Sequence, residues 1–361
     1  MPQKAPKFLD HIERMAGYIP GEQPRQADIV KLNTNENPYP PPPSVLERVR
    51  EAATQDLRKY PDAAASGVRE RLSRLLGGSP DNFVIGNGSD ELLNVILRCF
   101  AGPGDLVTFP WPTYPYYNKL IDLQQAKPHP VPLDDDFQVA IDDLVHPEAR
   151  ITLLANPNSP TGIGLSRESI DELASRCSGI LVVDEAYVDF SAGGAIEIAQ
   201  KHPHVIVTRT LSKSFSLAGV RVGFAYAHPT LIAGLWKVKE HYNVSSLSQV
   251  AAEAALNDID VMRVNAERII ATRMRLSNEL RTRGFFVWSS EANFVLARVP
   301  VGDAGHVGDA QPLFEALKER GYLVRHYGQQ PRLSDCLRIS IGSDEQIDGL
   351  LDTLDHVLEG D

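Results

Sequence analysis

Lys213 stands among residues that could turn it into a reagent. It follows Arg209-Thr210-Leu211-Ser212, Arg221 lies eight positions further on, and Asp184 and Tyr187 precede it. A lysine that is partly buried beside other cations loses basicity and can attack a carbonyl carbon. Hydroxyls and the planar fork of an arginine suit a phosphate. A carboxylate at a strand end suits a protonated pyridine nitrogen, which turns the ring into an electron sink. Together these residue types fit pyridoxal 5'-phosphate (PLP), with Lys213 attached to it covalently, Thr210, Ser212 and Arg221 at its phosphate and Asp184 at its nitrogen.

Asp184 closes the apolar run Ile180-Leu181-Val182-Val183, which carries its carboxylate to the carboxyl edge of a sheet, where α/β proteins place ligands. Tyr187, three residues on, can reach the ring oxygen of the cofactor. An aspartate after a strand is equally a helix cap or part of a Walker B site, so Lys213, 29 residues later, decides the reading.

Three further segments supply parts. Gly86-Asn87-Gly88-Ser89-Asp90-Glu91 is a glycine turn leading into a helix, and the N–H groups of Ser89 and Asp90 at that helix start make an anion site. A simple Ser or Asp cap explains the same letters. The segment is neither a Walker A loop nor a dinucleotide fingerprint. Tyr114 in Trp111-Pro112-Thr113-Tyr114 can stack on a flat cofactor, although single aromatics more often pack a core. Asn156-Pro157-Asn158-Ser159-Pro160-Thr161-Gly162 is a rigid turn whose composition turn chemistry alone explains.

These parts need a scaffold. Phe83–Ile85, Leu106–Phe109, Ile151–Leu154, Ile180–Val183, Val205–Val207 and Val222–Ala225 read as buried strands, continuous in their apolarity and therefore suited to a mostly parallel sheet covered on both faces. Helices are expected from Ser44 to about Leu57, with a Ser44/Glu47 capping box, and over Asp90–Phe100, Thr113–Asp122 and Arg167–Arg176. From Pro229 to about Arg283 the pattern is helical. The tail reads strand (Phe285–Ser289), strand (Asn293–Ala297), helix (Pro312–Arg320), strand (Tyr322–Arg325), strand (Leu337–Ile341) and a final helix from about Ser343. The expected fold is α/β: a three-layer, mostly parallel large domain over 44–283 and a small α+β C-terminal domain over 284–361. Residues 1–43, irregular and ending in Pro40 to Pro43, are expected to pack on both lobes and on the substrate site.

The 361 residues allow a large core, and a hydrophobic content of 43% with 23% charged residues describes an ordinary globular chain. A net charge of -11 argues against nucleic acid as a partner. No basic helical extension of the kind a nucleic-acid-binding regulator carries is read before Gln3 or after Asp361. Cys99, Cys177 and Cys336 form neither a disulfide framework nor metal spacing, which fits a reducing cytoplasm. Neither a signal peptide over Met1–Met15 nor a membrane span is read.

Taken in order, these segments make the chain resemble the fold-type-I PLP enzymes of the aspartate aminotransferase superfamily. More narrowly, it is similar to the histidinol-phosphate aminotransferases, through Tyr18 with Pro20-Gly21, Leu32-Asn33-Thr34-Asn35-Glu36-Asn37-Pro38, Tyr60-Pro61-Asp62, Gly88-Ser89-Asp90-Glu91, Arg209 to Phe215 and Cys336-Leu337-Arg338-Ile339-Ser340. The resemblance implies transamination between histidinol phosphate and 2-oxoglutarate. It implies Lys213 as attachment point and base, Asp184 and Tyr187 at the ring, and Tyr114 stacked on it. Ser89, Asp90, Thr210, Ser212 and Arg221 would line the phosphate site. Tyr18, Asn33, Arg325 and Arg338 would line the substrate pocket, with Arg338 taking a carboxylate. Tyr60 would reach the cofactor phosphate of a second subunit, hence a homodimer. Some of these motifs are shared with threonine-phosphate decarboxylases and aromatic aminotransferases, which stand as the alternatives. The chain departs from the family at Ser159, which stands where asparagine usually precedes Pro-Thr-Gly. In the family that asparagine touches the ring oxygen of the cofactor, a contact that Asn158 or Ser159 would make here. Tyr116 stands where methionine is common.

Overall fold

The computed structural model describes residues 7–17, 21–24, 28–300, 309–328, 330 and 332–359. Its centre is a seven-stranded sheet. In spatial order the strands are Phe83–Gly86, Gly223–Ala227, Val205–Thr210, Ile180–Asp184, Ala149–Ala155, Leu106–Trp111 and Lys127–Pro132. Gly223–Ala227 pairs antiparallel with both its neighbours, and the other pairings are parallel. The central strands are buried along their lengths, which is why they appear as unbroken apolar runs.

Helices cover both faces, and two apolar clusters pack against the sheet. The helix Ser89–Phe100 buries Leu92, Leu93, Val95, Ile96 and Leu97, and carries Asp90 and Glu91 in its first turn, where acidic groups suit the helix dipole. Arg167–Arg176 forms over the expected residues. The expected helical stretch after Pro229 resolves into Pro229–Trp236, Ser246–Asn257 and the 24-residue Ile259–Thr282.

A second, four-stranded antiparallel sheet has the order Arg325–His326, Cys336–Ser340, Phe294–Arg298, Phe286–Val287. Gln311–Glu319 and Asp344–Glu359 are its helices. The N-terminal segment joins it: Val30–Lys31 pairs in parallel with Tyr322–Leu323.

Four expectations are corrected. The Ser44/Glu47 capping box does not form, because Pro42 is the cap and Pro43 opens the helix Pro43–Ala52. Proline suits the first helical position, which needs no N–H donor. Ser44 instead hydrogen-bonds Asp258. The helix also stops at Ala52, and a separate 3-10 turn covers Gln55–Arg58. The helix expected from Thr113 begins at Tyr116, after Pro115. The expected single strand Tyr322–Arg325 divides at Val324, one part joining Val30–Lys31 and the other Cys336–Ser340.

Candidate active site

The carboxyl ends of the central strands open into a cavity of about 540 Å³. Ile180–Asp184 delivers Asp184 to it and Val205–Thr210 delivers Thr210. A buried ion pair ties these two strand ends together, with Arg209 Nε donating to Glu185 Oε2 at 2.7 Å. Past Thr210 the chain turns through Ser212 and Lys213. Thr210 Oγ1 donates to Ser212 Oγ at 2.9 Å and accepts from the Ser212 N–H at 3.1 Å, so the turn is held by its own hydroxyls. Asn37 Nδ2 donates to the carbonyls of Lys213 and Ser214, at 3.0 Å each, and Ser214 hydrogen-bonds Asp189. The backbone beneath the lysine is therefore fixed from three directions.

Lys213 Nζ donates to the Thr34 carbonyl at 3.0 Å and sits 5.9 Å from the Tyr187 ring centre. Its pKa is pushed down to about 8, chiefly by burial and then by Arg338. Among the described residues no carboxylate forms a salt bridge with it, and roughly a tenth of the amine is neutral at pH 7, far more than for an ordinary lysine, as a nucleophile needs. Asp184 is the opposite case. It accepts from Tyr117 Oη at 2.9 Å and Thr208 Oγ1 at 3.3 Å, and burial pushes its pKa up to about 6. Among the described residues no cation forms a salt bridge with it.

The helix start at Ser89 faces the cavity with Arg221 beside it. Arg221 Nη1 donates to Ser212 Oγ at 3.3 Å, and Nη2 lies 3.5 Å from Asp90 Oδ2. Gly88 has φ of +80°, and a Cβ there would come within 2.5 Å of the Arg221 guanidinium. Gly223 is equally constrained, since its Cβ would meet the Ser89 nitrogen at 2.5 Å. Two glycines thus let the guanidinium and a helix start approach one another, the arrangement an anion requires. Tyr114 Oη donates to Asp90 Oδ1 at 3.1 Å, and the Tyr114 ring meets Tyr117 edge-on.

Arg338 reaches in from the second sheet. Its Nη1 donates to Ser159 Oγ at 3.2 Å and Nη2 to the Asn33 carbonyl at 2.7 Å, while buried Nε holds no partner among the described residues. Arg338 and Arg325 both lie over the Tyr327 ring, at 5.7 and 5.5 Å.

Of the residues singled out in the sequence, Asn33, Ser89, Asp90, Tyr114, Ser159, Asp184, Tyr187, Thr210, Ser212, Lys213, Arg221, Arg325 and Arg338 line this one cavity. Gly88 stands behind its wall. Asn158 does not line it: its Oδ1 accepts from Thr113 and its Nδ2 donates to Pro112 and Thr161, so the amide is spent inside the turn. Of the two neighbours Asn158 and Ser159, Ser159 is the one that faces the cavity. Tyr60 is 80% exposed and stacked on Tyr242, with ring centres 4.5 Å apart. Tyr18 lies outside the described residues. Trp111 and Tyr116 are not among the lining residues.

Tyr117, Thr208, Asn35 and Thr34 went unread as site residues. Tyr117 and Asn35 are each a hydrogen bond away from Asp184 or Tyr187 but 67 and 152 positions away in sequence. The cluster Asn33-Thr34-Asn35-Glu36-Asn37, beside Tyr18 with Pro20-Gly21, was the signal for the N-terminal contribution.

The site fits PLP on these observations. A buried carboxylate with only neutral partners suits a protonated ring nitrogen, and the helix start with Arg221 suits a phosphate. A weakly basic, anchored lysine suits covalent attachment to an aldehyde.

This is a fold and a site of one enzyme class: the chain belongs to the class I and II aminotransferases, whose family model matches residues 27–354. Among particular proteins, it is 44% identical over 351 residues to histidinol-phosphate aminotransferase of Geotalea uraniireducens, covering 96% of this chain and 98% of that one. Histidinol-phosphate aminotransferase 1 of Nostoc sp. is 41% identical, with 98% of each chain covered. The crystal structure of histidinol-phosphate aminotransferase from Sinorhizobium meliloti in complex with pyridoxal-5'-phosphate is similar with a TM-score of 0.87 and 29% identity, covering 99% of each chain.

Proposed function

We propose that this chain is a PLP-dependent aminotransferase that takes the amino group of histidinol phosphate and passes it to 2-oxoglutarate, a step of histidine biosynthesis. The observation that carries the reading is that one cavity holds two separate cationic groups. Arg221 stands with Ser212 and the Ser89 helix start, and Arg325 and Arg338 lie 5.5 and 5.7 Å from the Tyr327 ring centre. One group serves the phosphate of the cofactor and the other an anionic substrate. The relatives named histidinol-phosphate aminotransferase, at 41 and 44% identity over nearly the full length, support the same substrate.

Lys213, Asp184, Tyr187, Ser89, Asp90, Thr210, Ser212, Arg221 and Tyr114 would hold the cofactor. When bound, PLP supplies an electron sink that lets a C–H bond beside a nitrogen be broken. Asp184 keeps a full negative charge in a buried place, which stabilises positive charge next to it. Lys213 Nζ, with its proton affinity lowered to about 8, takes the proton from the amine-bearing carbon of the donor and would pass it to the cofactor within the same half-reaction; in the second half-reaction it carries a proton the other way, to the carbon of the 2-oxo acid. Tyr187 offers its hydroxyl to an oxygen anion. Arg338 binds the carboxylate of the 2-oxo acid, and Arg325 joins it on the phosphate of the donor, so both substrates use the same cations in turn. The wall of Thr34, Asn37 and Ser214 holds the lysine in one geometry, replacing a rare encounter by a positioned one.

We further infer a cytoplasmic homodimer in which Tyr60 serves the neighbouring site. Tyr60, with Tyr242 and Leu57 beside it in exposure, offers an apolar and aromatic surface for a second copy. Among the described residues no helix is long and apolar enough to cross a membrane.

The test is an amino-donor panel with 2-oxoglutarate, comparing histidinol phosphate with phenylalanine, tyrosine and aspartate. Histidinol phosphate is expected to have the highest kcat/KM. Preference for an aromatic amino acid would overturn the substrate, and turnover with CO2 release and no 2-oxo acid would make the enzyme a decarboxylase.

A further inference from the structure

Asn35 is almost wholly buried, and its backbone lies in the left-handed region with φ of 55°, a conformation that non-glycine residues rarely keep without a reason. Four of its polar groups hold partners. The N–H donates to Ser340 Oγ at 2.9 Å, the carbonyl accepts from Asn293 Nδ2 at 3.0 Å, and Oδ1 accepts from Ser340 Oγ at 2.8 Å. The remaining group, Nδ2, donates to Tyr187 Oη at 2.9 Å. Three contacts bind Asn35 to the second sheet and its approach, and the fourth reaches a residue of the cavity.

We infer that Asn35 is a positioning residue for Tyr187, one that decides where the tyrosine's proton points. A phenol oxygen that accepts a hydrogen bond from an amide cannot aim its own proton at that amide. Ser159 stands close enough to the same hydroxyl to favour its anionic form, as a donor does, and its oxygen already takes an N–H from Arg338. With both neighbours donating, the Tyr187 proton is left to face the cavity, ready for an acceptor oxygen there. Ser340 secures the arrangement. Its hydroxyl donates to Asn35 Oδ1, and this settles which end of the amide faces Tyr187. Ser340 and Arg338 are alternate residues of one strand and so share a face. The strand that carries the anion-binding arginine also orients the tyrosine through Asn35.

This inference rests on the reading of Lys213 as the PLP-bearing residue. A hydrogen bond from Tyr187 to the ring oxygen of bound PLP would favour the form in which that oxygen keeps its charge and the lysine-bound nitrogen has lost its proton. The pH at which the visible absorbance of the lysine-bound cofactor titrates therefore reports on the Tyr187 proton. Charged groups acting on Lys213 are Arg338, Asp90, Glu36 and Arg221, and those acting on Tyr187 are Arg338 and Asp184. The variants below alter none of them.

The experiment is a pH titration of the visible absorbance of the PLP-loaded protein and of Asn35→Gly, Ser340→Ala, Tyr187→Phe and the double variant Asn35→Gly/Tyr187→Phe. Glycine accepts the positive φ and removes the amide without adding charge. Asn35→Gly is expected to move the midpoint upward, with about a threefold or larger gain in proton affinity. Ser340→Ala, which leaves Asn35 in place, is expected to move it less in the same direction, and it serves alone if the glycine variant does not fold. In the Tyr187→Phe background, Asn35→Gly is expected to add nothing, because the two residues act as one unit. An unmoved midpoint in both Asn35→Gly and Ser340→Ala overturns the inference, as does an Asn35→Gly shift that persists without the Tyr187 hydroxyl. If the unaltered protein gains no visible band with PLP, the cofactor reading fails and takes this inference with it, whereas a band that keeps its colour at every pH overturns this inference alone.

Discussion

Tyr117 Oη, on a fully buried side chain, donates across 2.9 Å to Oδ2 of Asp184, which lines the cavity. Together with Thr208 it gives the carboxylate neutral hydrogen-bond partners, and no cation among the described residues pairs with it, so a buried negative charge is held ready for a cation. That arrangement costs stability until the cation arrives, and the cost can be measured.

Asp184 binds its proton more tightly in the folded chain than in the unfolded one, since burial raises its pKa to about 6. The sign follows: its share of stability is intact below about pH 4 and is lost as pH rises through about 6. Asp184→Asn removes that loss. Cofactor-free Asp184→Asn protein is expected to melt a few degrees higher than unaltered cofactor-free protein at pH 7.5, with the gain gone near pH 4. Turnover is expected to fall by about 100-fold or more, since the buried charge is what the reaction uses. Thermal melts at both pH values and a steady-state assay check the two halves.

Lys213 gives a second pH prediction. Its amine is pushed down to about 8 by burial and by Arg338. The rate at which cofactor-free protein captures PLP should rise through a midpoint near that value and then level. Arg338→Gln removes a cation and should move the midpoint upward by about half a unit or more. Stopped-flow absorbance measures both. A midpoint near the ordinary lysine value of about 10.4 would contradict the site's electrostatics.

Gly88→Ala tests the phosphate cradle. The added methyl meets the Arg221 guanidinium at 2.5 Å, at a residue whose φ of +80° already disfavours a side chain. Affinity for PLP is expected to drop by about tenfold or more, with roughly 1 kcal/mol of added backbone strain. Equilibrium titration with PLP reads the loss.

Tyr60 offers a test by complementation. If it serves the neighbouring site, Tyr60→Ala and Lys213→Ala subunits should each be weak alone. Mixed and reassembled, they should recover about one quarter of full activity, because half the dimers are hybrids with one intact site each. No recovery would place the Tyr60 effect within its own subunit.

Which of these features could be read from the letters follows from where the partners lie. Ile180–Asp184 was legible because a strand buried on both faces has no polar alternation to hide it, and its terminal carboxylate then stands out. Lys127–Pro132 was not, since three of its six residues are proline and it lies at the sheet edge, where lost N–H donors cost little. The division of the expected strand Tyr322–Arg325 between two sheets depends on what pairs with it, and alternation in one strand does not encode that.

The site follows the same logic. Lys213, Thr210 and Ser212 sit within four positions and announce one another. Tyr117 and Asn35 act on Asp184 and Tyr187 only because the helix Tyr116–Leu123 and the N-terminal segment fold against them. Asn158 read as a possible contact because it adjoins Ser159, yet its amide closes the turn instead.

The most direct test of the account is the place where PLP attaches. The protein is incubated with PLP, reduced with borohydride, digested and sequenced by mass spectrometry. The account predicts a pyridoxyl group on Lys213, absent from Lys213→Ala, which should also lose about 1000-fold or more in kcat. A label on another lysine, or full turnover by Lys213→Ala with PLP bound, would contradict it.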